Sequence, residues 1–155
     1  MKTYRRILVT LPTDGRAETL LHRAAEQLAG SRAQLLVLQV LDTRSGIEPD
    51  GPAANLPREH MARRLPAAKQ RLDLLLARHD LAWAEARIVC GEPNTVIGQC
   101  VRDWRPDLVV ACASLWSRDY SLPSGRDSPD VLSVKCHGLF SRLGEALGHA
   151  AQGHA

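Results

Sequence analysis

Residues 84–113, AEARIVCGEPNTVIGQCVRDWRPDLVVACA, contain a strand, a helix and a second strand in succession, and this stretch decides the fold. Residues 84–90, AEARIVC, and residues 108–113, LVVACA, are predicted to be strands. Between them, a proline-containing turn opens a helix over about residues 93–104. One face of this helix is apolar and is formed by Val96, Ile97, Cys100 and Val101. A strand–helix–strand unit of this kind predicts parallel strands in one sheet.

The first half of the chain shows the same alternation. Its predicted elements are strands at residues 5–11 and 34–41 and helices at residues 17–29 and 57–79. Pro66 lies inside the second of these helices, and we expect it to kink that helix or to start a new segment. The stretch from Asp42 to Leu56 is rich in glycine and proline and is predicted to be a loop.

After the fourth strand the alternation breaks. Residues 114–130 show no helical pattern, so a loop is expected to replace the fourth helix. Residues 131–135 are predicted to be a fifth strand, and residues 139–151 form an amphipathic pattern. We therefore predict an α/β domain over residues 1–136 with an open five-stranded parallel sheet and helices on both faces. An extra C-terminal helix is expected in a tail over residues 137–155.

The composition restricts the partners of the protein. The chain has 155 residues, a formal net charge of +3 and only 4% aromatic residues, and its basic residues are spread along the sequence. These features argue against nucleic-acid binding, which favours clustered basic and aromatic side chains. No apolar run reaches the ~18 residues that a membrane span needs. Residues 1–6 lead directly into a strand without a secretory signal.

The cysteines carry no recognisable pairing motif. None has CxxC spacing, which favours reduced thiols that pack as small apolar groups, with a redox or metal cluster as the alternative. They are Cys90, Cys100, Cys112 and Cys136. Cys136 and His137 could bind a metal together with His149 or His154, but their spacing matches no known structural zinc pattern. A solvated tail without a ligand is the favoured interpretation.

The site of any chemistry is expected at one edge of the sheet, because ligands of open parallel sheets bind beyond the carboxyl ends of the strands. Four clusters of residues lie at those ends: 11–15, 40–43, 90–94 and 112–116. The sequence contains no nucleophile elbow, no phosphate-binding P-loop and no HExxH zinc motif. We therefore predict neither a catalytic site nor a metal site.

Several motifs of this chain resemble those of the universal stress protein family. In chain order they are YRRILV at 4–9, Pro12-Thr13-Asp14, LVLQVLD at 36–42, the G-x-P-x-x-x-I helix start at 91–97, DLVV at 107–110 and VLSV at 131–134. Each motif alone is moderately specific. Their order and spacing together make a chance similarity improbable, and the resemblance covers residues 4–114 well and 129–135 loosely.

This resemblance implies a sheet with strand order 3-2-1-4-5, a homodimer that often forms through the last strand, and a cytoplasmic role in stress adaptation. Some family members bind ATP. In those, the residues matching Pro12, Thr13 and Asp14 form the turn at the nucleoside. The residue at Val40, or its neighbour Leu41, contacts the base, and a glycine at the position of Gly91 permits close approach.

The phosphate-binding part of the family pattern is missing from this chain. Binders follow the fourth strand with G-x2-G-x9-G-[ST], whose glycines let backbone N–H groups approach the phosphates. Cys112 and Leu115 stand at the first two glycine positions, and no matching Gly-Ser or Gly-Thr pair follows. We therefore expect a degenerate ATP site, no bound cofactor and a non-catalytic regulatory function. The alternatives are a module that binds ATP or AMP through a remodelled phosphate loop, and a nucleotide hydrolase or nucleotidyl-transfer enzyme of the same superfamily.

Structural roles compete with the nucleotide roles at two of these positions. Asp14 could be a turn residue or the N-cap of the first helix. Gly91 could supply a turn with positive φ. The predicted helix at 139–151 could cover the sheet face left open by the missing fourth helix, on its own chain or on a partner, so a protein partner could bind through this helix.

Overall fold

The computed structural model describes residues 2–42, 56–113 and 125–136. Its elements, in chain order, are β1 (Arg6–Leu11), α1 (Arg16–Leu28), β2 (Gln34–Asp42), α2 (Leu56–Arg78), β3 (Glu85–Gly91), α3 (Pro93–Trp104), β4 (Leu108–Cys112) and β5 (Asp130–Val134). Most of the predicted loop at 42–56, residues 114–124 of the loop expected in place of a fourth helix, and the predicted helix at 139–151 lie outside the described residues.

The five strands form one sheet in the order β3-β2-β1-β4-β5, and every neighbouring pair is parallel. This confirms the predicted fold and strand order. In the central strand β1, Val9 pairs with Val37 of β2 on one side and with Val110 of β4 on the other. All three side chains have no exposed surface, as expected for a parallel sheet that is covered on both faces.

Two apolar clusters pack on opposite faces of the sheet. One joins the sheet to α1 and α2 through residues such as Leu20, Leu21 and Leu72. The other joins it to α3 through residues such as Ile97 and Val101. Right-handed crossovers explain this division, because α1 and α2 connect strands that run towards one edge of the sheet whereas α3 returns across it.

Helix α2 runs without a break through Pro66. The new segment that the sequence suggested at this proline therefore does not form. Pro66 is exposed, so solvent can reach the backbone carbonyl that has lost its N–H partner. The intact helix lies along β2 and β3 and provides one wall of the site described below.

At the amino ends of the strands, Asp107 connects three strands. Its carboxylate accepts the backbone N–H groups of Arg5 at 2.8 Å and Arg6 at 2.9 Å. Its own N–H donates to the carbonyl of Arg6 at 2.9 Å, and its carbonyl accepts the N–H of Asp130 at 3.0 Å. Asp107 begins the DLVV motif, so this part of the family pattern serves to align β1, β4 and β5.

The GEP motif between β3 and α3 likewise serves the fold. The Glu92 carboxylate accepts the backbone N–H groups of Asn94 at 3.1 Å and Thr95 at 2.8 Å, and so caps the helix. Pro93 occupies the start of the helix, where its missing N–H has no intrahelical partner to lose. The motif therefore fixes where α3 begins.

Candidate ligand site

The turn after β1 holds its acidic residue in an ion pair within the chain. Asp14 accepts the backbone N–H of Arg16 at 3.0 Å, and its two carboxylate oxygens accept from Arg16 Nε at 2.8 and 2.9 Å. Arg16 Nη2 adds a contact at 2.5 Å. These hydrogen bonds from Arg16 lower the pKa of Asp14. Asp14 thus makes the contacts of a turn residue, and Gly15 occupies the N-cap position of α1.

Arg16 also lies near two thiols at the carboxyl ends of β4 and β5. The Cys112 side chain is 1% exposed, and Cys136 Sγ contacts the carbonyl of Val134 at 3.6 Å. Burial, followed by a hydrogen bond with Cys112, raises the pKa of Cys136 to about 12. A thiol with so high a pKa is protonated at neutral pH and is a poor nucleophile. All four cysteines are free, and this pair gives the redox alternative no support.

A cavity of about 300 Å³ opens beside this turn on the face of the sheet that carries α1 and α2. The turn, the start of α1, the end of β2 and one face of α2 line it. The lining residues are Pro12, Thr13, Asp14, Gly15, Ala17, Glu18, Gln39, Leu41, Arg64, Ala68, Arg71, Leu72, Leu74, Leu75 and Arg78. Its volume falls at the lower end of the range of small-molecule pockets, roughly 300–1,000 Å³.

Gln39 is a buried polar residue in the wall of this cavity, with 9% of its surface exposed. Its Nε2 donates to the carbonyl of Pro12 at 3.2 Å, which ties β2 to the turn after β1. Among the residues that the structure describes, no group donates to its Oε1. The amide oxygen therefore remains available to a donor inside the cavity.

Arginine side chains dominate the charge of the cavity. Arg64, Arg71 and Arg78 follow one another at intervals of two helical turns on one face of α2. Arg78 pairs with Glu18 at 3.0 Å. Arg64 and Arg71 have no acidic partner within the described parts of the chain. Two uncompensated cations therefore face the opening.

The structure brings together three of the five residues that the family resemblance marked. Pro12, Thr13 and Asp14 line the cavity. Val40 packs on the opposite face of the sheet, against the cluster around α3, whereas its neighbour Leu41 lines the cavity. Alternation of side chains along a strand separates these two neighbours.

Gly91 also lies away from the cavity lining. Its φ is not in the positive range, so the alternative of a positive-φ turn at this position is wrong. A Cβ at Gly91 would lie 2.8 Å from Val96 Cγ2. The first turn of α3 therefore packs so close to position 91 that a glycine is needed there.

Sequence reasoning missed Gln39, Arg64 and Arg71. One signal for Gln39 was a polar side chain within the apolar run at 34–41. The signal for the arginines was their recurrence after two helical turns, together with Ala68 as a small residue between them. Neither pattern identifies a ligand site until the fold places β2 and α2 side by side.

Within residues 2–42, 56–113 and 125–136, no group of three or more His, Cys, Asp or Glu side chains has the arrangement of a metal site. No helix in those ranges has the length and apolarity that crossing a bilayer requires.

An open parallel α/β sheet with a ligand-sized cavity at the carboxyl ends of its strands places the protein in the doubly wound α/β class. The model of the universal stress protein family matches residues 3–114. The protein therefore belongs to the universal stress protein family. Among curated proteins, none matches the chain significantly.

Solved structures show the same fold at low sequence identity. A universal stress family protein from Burkholderia pseudomallei is 20% identical, with a TM-score of 0.62 over 88% of this chain and 99% of its own. A universal stress protein in complex with cAMP is 20% identical, with a TM-score of 0.55 over 86% and 98% of the two chains. An Arabidopsis thaliana family protein with AMP bound is 19% identical, with a TM-score of 0.54 over 86% and 92%.

Proposed function

We propose that this protein is a non-enzymatic regulator of the universal stress type whose ATP site is degenerate. The ion pair between Asp14 and Arg16 carries the proposal. Family binders direct this carboxylate at the nucleoside. In this protein, both oxygens of Asp14 accept hydrogen bonds from the Arg16 side chain. A nucleoside hydroxyl would have to displace a charge-assisted pair of hydrogen bonds to reach it.

Cys112, the last residue of β4, supports the same proposal. Cys112 ends β4 at a position where the family's binders have a glycine, and its side chain is packed in the core beside α1. A side chain at this position keeps a phosphate from approaching bare backbone N–H groups. The family's cytoplasmic role in stress adaptation then requires a signal other than ATP.

Adenine-nucleotide binding is the second candidate function. Two solved relatives are complexes with AMP or cAMP, and Pro12, Thr13 and Asp14 here line an open cavity. A nucleoside monophosphate needs less of the missing glycine loop than ATP does. In this candidate, the Asp14 carboxylate would exchange Arg16 for the ligand.

Calorimetric titration of the full chain with Mg-ATP, ADP and AMP distinguishes the two candidates. The proposal predicts no saturable heat with any of the three nucleotides. Saturable binding of AMP that is lost in Asp14→Asn and kept in Asp103→Asn would establish the second candidate instead. Asp103 is a suitable control because it is exposed on α3, away from the cavity.

We also propose that the regulator is a homodimer formed through β5. This strand lies at one edge of the sheet and pairs with β4 alone among the described strands, so its outer N–H and C=O groups are available to a second copy. Val131 on this strand is 38% exposed. On the opposite edge, Val89 of β3 is 37% exposed and serves as a matched control.

Sedimentation velocity tests this dimer with one charge placed on each edge. Val131→Lys is expected to convert the dimer to a monomer, whereas Val89→Lys should leave it a dimer. A wild-type chain that sediments as a monomer, or equal dissociation by both variants, would contradict an interface at β5.

A further inference from the structure

Two thiols meet at the carboxyl ends of β4 and β5. Cys112 is the last residue of β4 and pairs in register with Val134, which precedes Cys136 by two residues. Side chains two residues apart along an extended chain project to the same face. Both thiols accordingly pack against the apolar cluster on the face that carries α1, and their side chains are hydrogen-bonded to each other.

The surroundings of this pair of thiols combine apolar packing with a positive charge. Cys112 is 1% exposed, whereas Cys136 is partly exposed and gives a small ion access to the pair. Arg16, the first residue of α1, interacts electrostatically with both thiols. The positive end of the helix dipole lies at the same end of α1. A bound group with a net negative charge is therefore favoured at this position.

The number and type of donor atoms restrict which metal ion could bind there. Thiolate sulfur is a soft ligand that suits copper(I), zinc and iron–sulfur clusters. Zinc and iron–sulfur sites use roughly four protein ligands. Within the described ranges of the chain, no third His, Cys, Asp or Glu side chain joins this pair in a metal-binding arrangement. Copper(I) is satisfied by two thiolates in a linear geometry, so two sulfurs are sufficient for it.

We propose that Cys112 and Cys136 bind one copper(I) ion between their sulfur atoms. Each S–H group gives its proton to solvent, two Cu–S bonds form, and the oxidation state of the copper does not change. Two thiolates and one copper(I) ion carry a single net negative charge, which the nearby Arg16 guanidinium offsets. The site uses neither the cavity beside α2 nor a nucleotide, so it is independent of the proposed function.

The high pKa of Cys136 determines how this site responds to pH. Burial raises this pKa to about 12, so the thiol is protonated at neutral pH and is a poor nucleophile towards oxidants. Metal binding is still possible, because copper(I) displaces the proton, and this displacement becomes easier as the pH rises. Each displaced proton should raise the apparent affinity for copper(I) about tenfold per pH unit, and Cys136 contributes one such proton.

Anaerobic competition between the reduced full chain and the copper(I) chelator bathocuproine disulfonate tests the site. We expect the protein to take up one copper(I) ion per chain, with an affinity that rises with pH. X-ray absorption should show two sulfur neighbours around the metal. Failure to remove copper(I) from the chelator, or more than two sulfur neighbours per ion, would overturn the proposal.

Cysteine variants identify the ligands in the same competition. Cys112→Ala and Cys136→Ala should each weaken binding at least about a hundredfold, because loss of a group that only supports a metal ligand already costs 10–100-fold. Cys100→Ala is the control for a buried thiol and Cys90→Ala for a partly exposed one, and both should keep the wild-type affinity. Urea denaturation verifies that each variant is folded. Equal losses in all four variants would overturn the proposal.

The charge of Arg16 provides a separate test. Arg16→Gln should weaken copper(I) binding about tenfold, as expected for a group outside the ligand shell. Arg23→Gln is the matched control, because Arg23 is exposed on the same helix and pairs with Glu26 at 3.1 Å. Equal affinities of these two variants would contradict the role given to Arg16. None of these outcomes depends on whether the chain binds ATP or AMP, which the nucleotide titration measures.

Discussion

The two ends of the parallel strands differ in how their polar groups are satisfied. At the amino ends, the Asp107 carboxylate accepts backbone N–H groups from β1 and its neighbouring residue, and its backbone groups reach β1 and the start of β5. At the carboxyl ends, Gln39 Oε1 and two arginines face a cavity without described protein partners. One end uses its polar groups to hold the fold together, whereas the other leaves some of them facing the cavity.

The family motifs likewise differ in whether they serve the fold or border the cavity. DLVV and GEP, which carry part of the family resemblance, act as strand connector and helix cap. The turn with Pro12, Thr13 and Asp14 is the motif that borders the cavity. Two of the motifs that mark the family therefore serve the fold, and one borders the cavity.

The largest change in the free energy of unfolding should come from a substitution at the amino ends of the strands. Asp107→Ala removes an ionised acceptor from two backbone N–H groups and should lower the free energy of unfolding by about 2 kcal/mol. Asp103→Ala is the control, because Asp103 is exposed and, among the described residues, its carboxylate accepts a hydrogen bond only from Gln99 Nε2 at 2.8 Å. Its effect should stay within about 0.5 kcal/mol. Urea denaturation of both variants measures the difference, and equal losses would mean that Asp107 does not hold the strands.

A smaller, pH-dependent effect is expected at the carboxyl end. The Arg16 guanidinium lowers the pKa of Asp14 from its ordinary value of 3.8. A carboxyl group whose pKa is lower in the folded state stabilises that state above 3.8, and this contribution is lost as the pH falls through the lower folded pKa. Asp14 is half exposed, so Asp14→Asn should cost less than about 1 kcal/mol at neutral pH.

Urea denaturation across the acid range measures this contribution. The midpoints of wild type and Asp14→Asn should converge as the pH drops below 3.8. A gap that stays constant with pH would show that the ion pair with Arg16 is not what distinguishes the two proteins. It would also remove the main support for the proposal that Arg16 occupies the Asp14 carboxylate in place of a nucleoside.

Much of the fold could be predicted from sequence because its signals are local. The apolar run at 34–41 and the periodic helix at 93–104 match β2 and α3 closely, since each depends on the order of residues within one element. Strand order came from the family resemblance and is confirmed by the sheet. The new segment suggested at Pro66 does not form, because exposure of that residue makes a missing hydrogen bond less costly.

The site was less accessible to sequence reasoning. Asp14 was recognised, but its capture by Arg16 depends on the conformation of a turn and on one side-chain rotamer. Val40 and Leu41 were equivalent candidates in the sequence, and only the orientation of β2 sends Leu41 to the cavity and Val40 to the other face.

The amino-acid order by itself determined the alternation of strands and helices, the family and the position of the turn after β1. Tertiary structure alone decided that Gln39, Arg64 and Arg71 surround one cavity, because these residues belong to a strand and a helix that meet only when α2 folds back over the sheet. Periodicity reports which face of an element is buried, whereas a binding site depends on which faces come together in space.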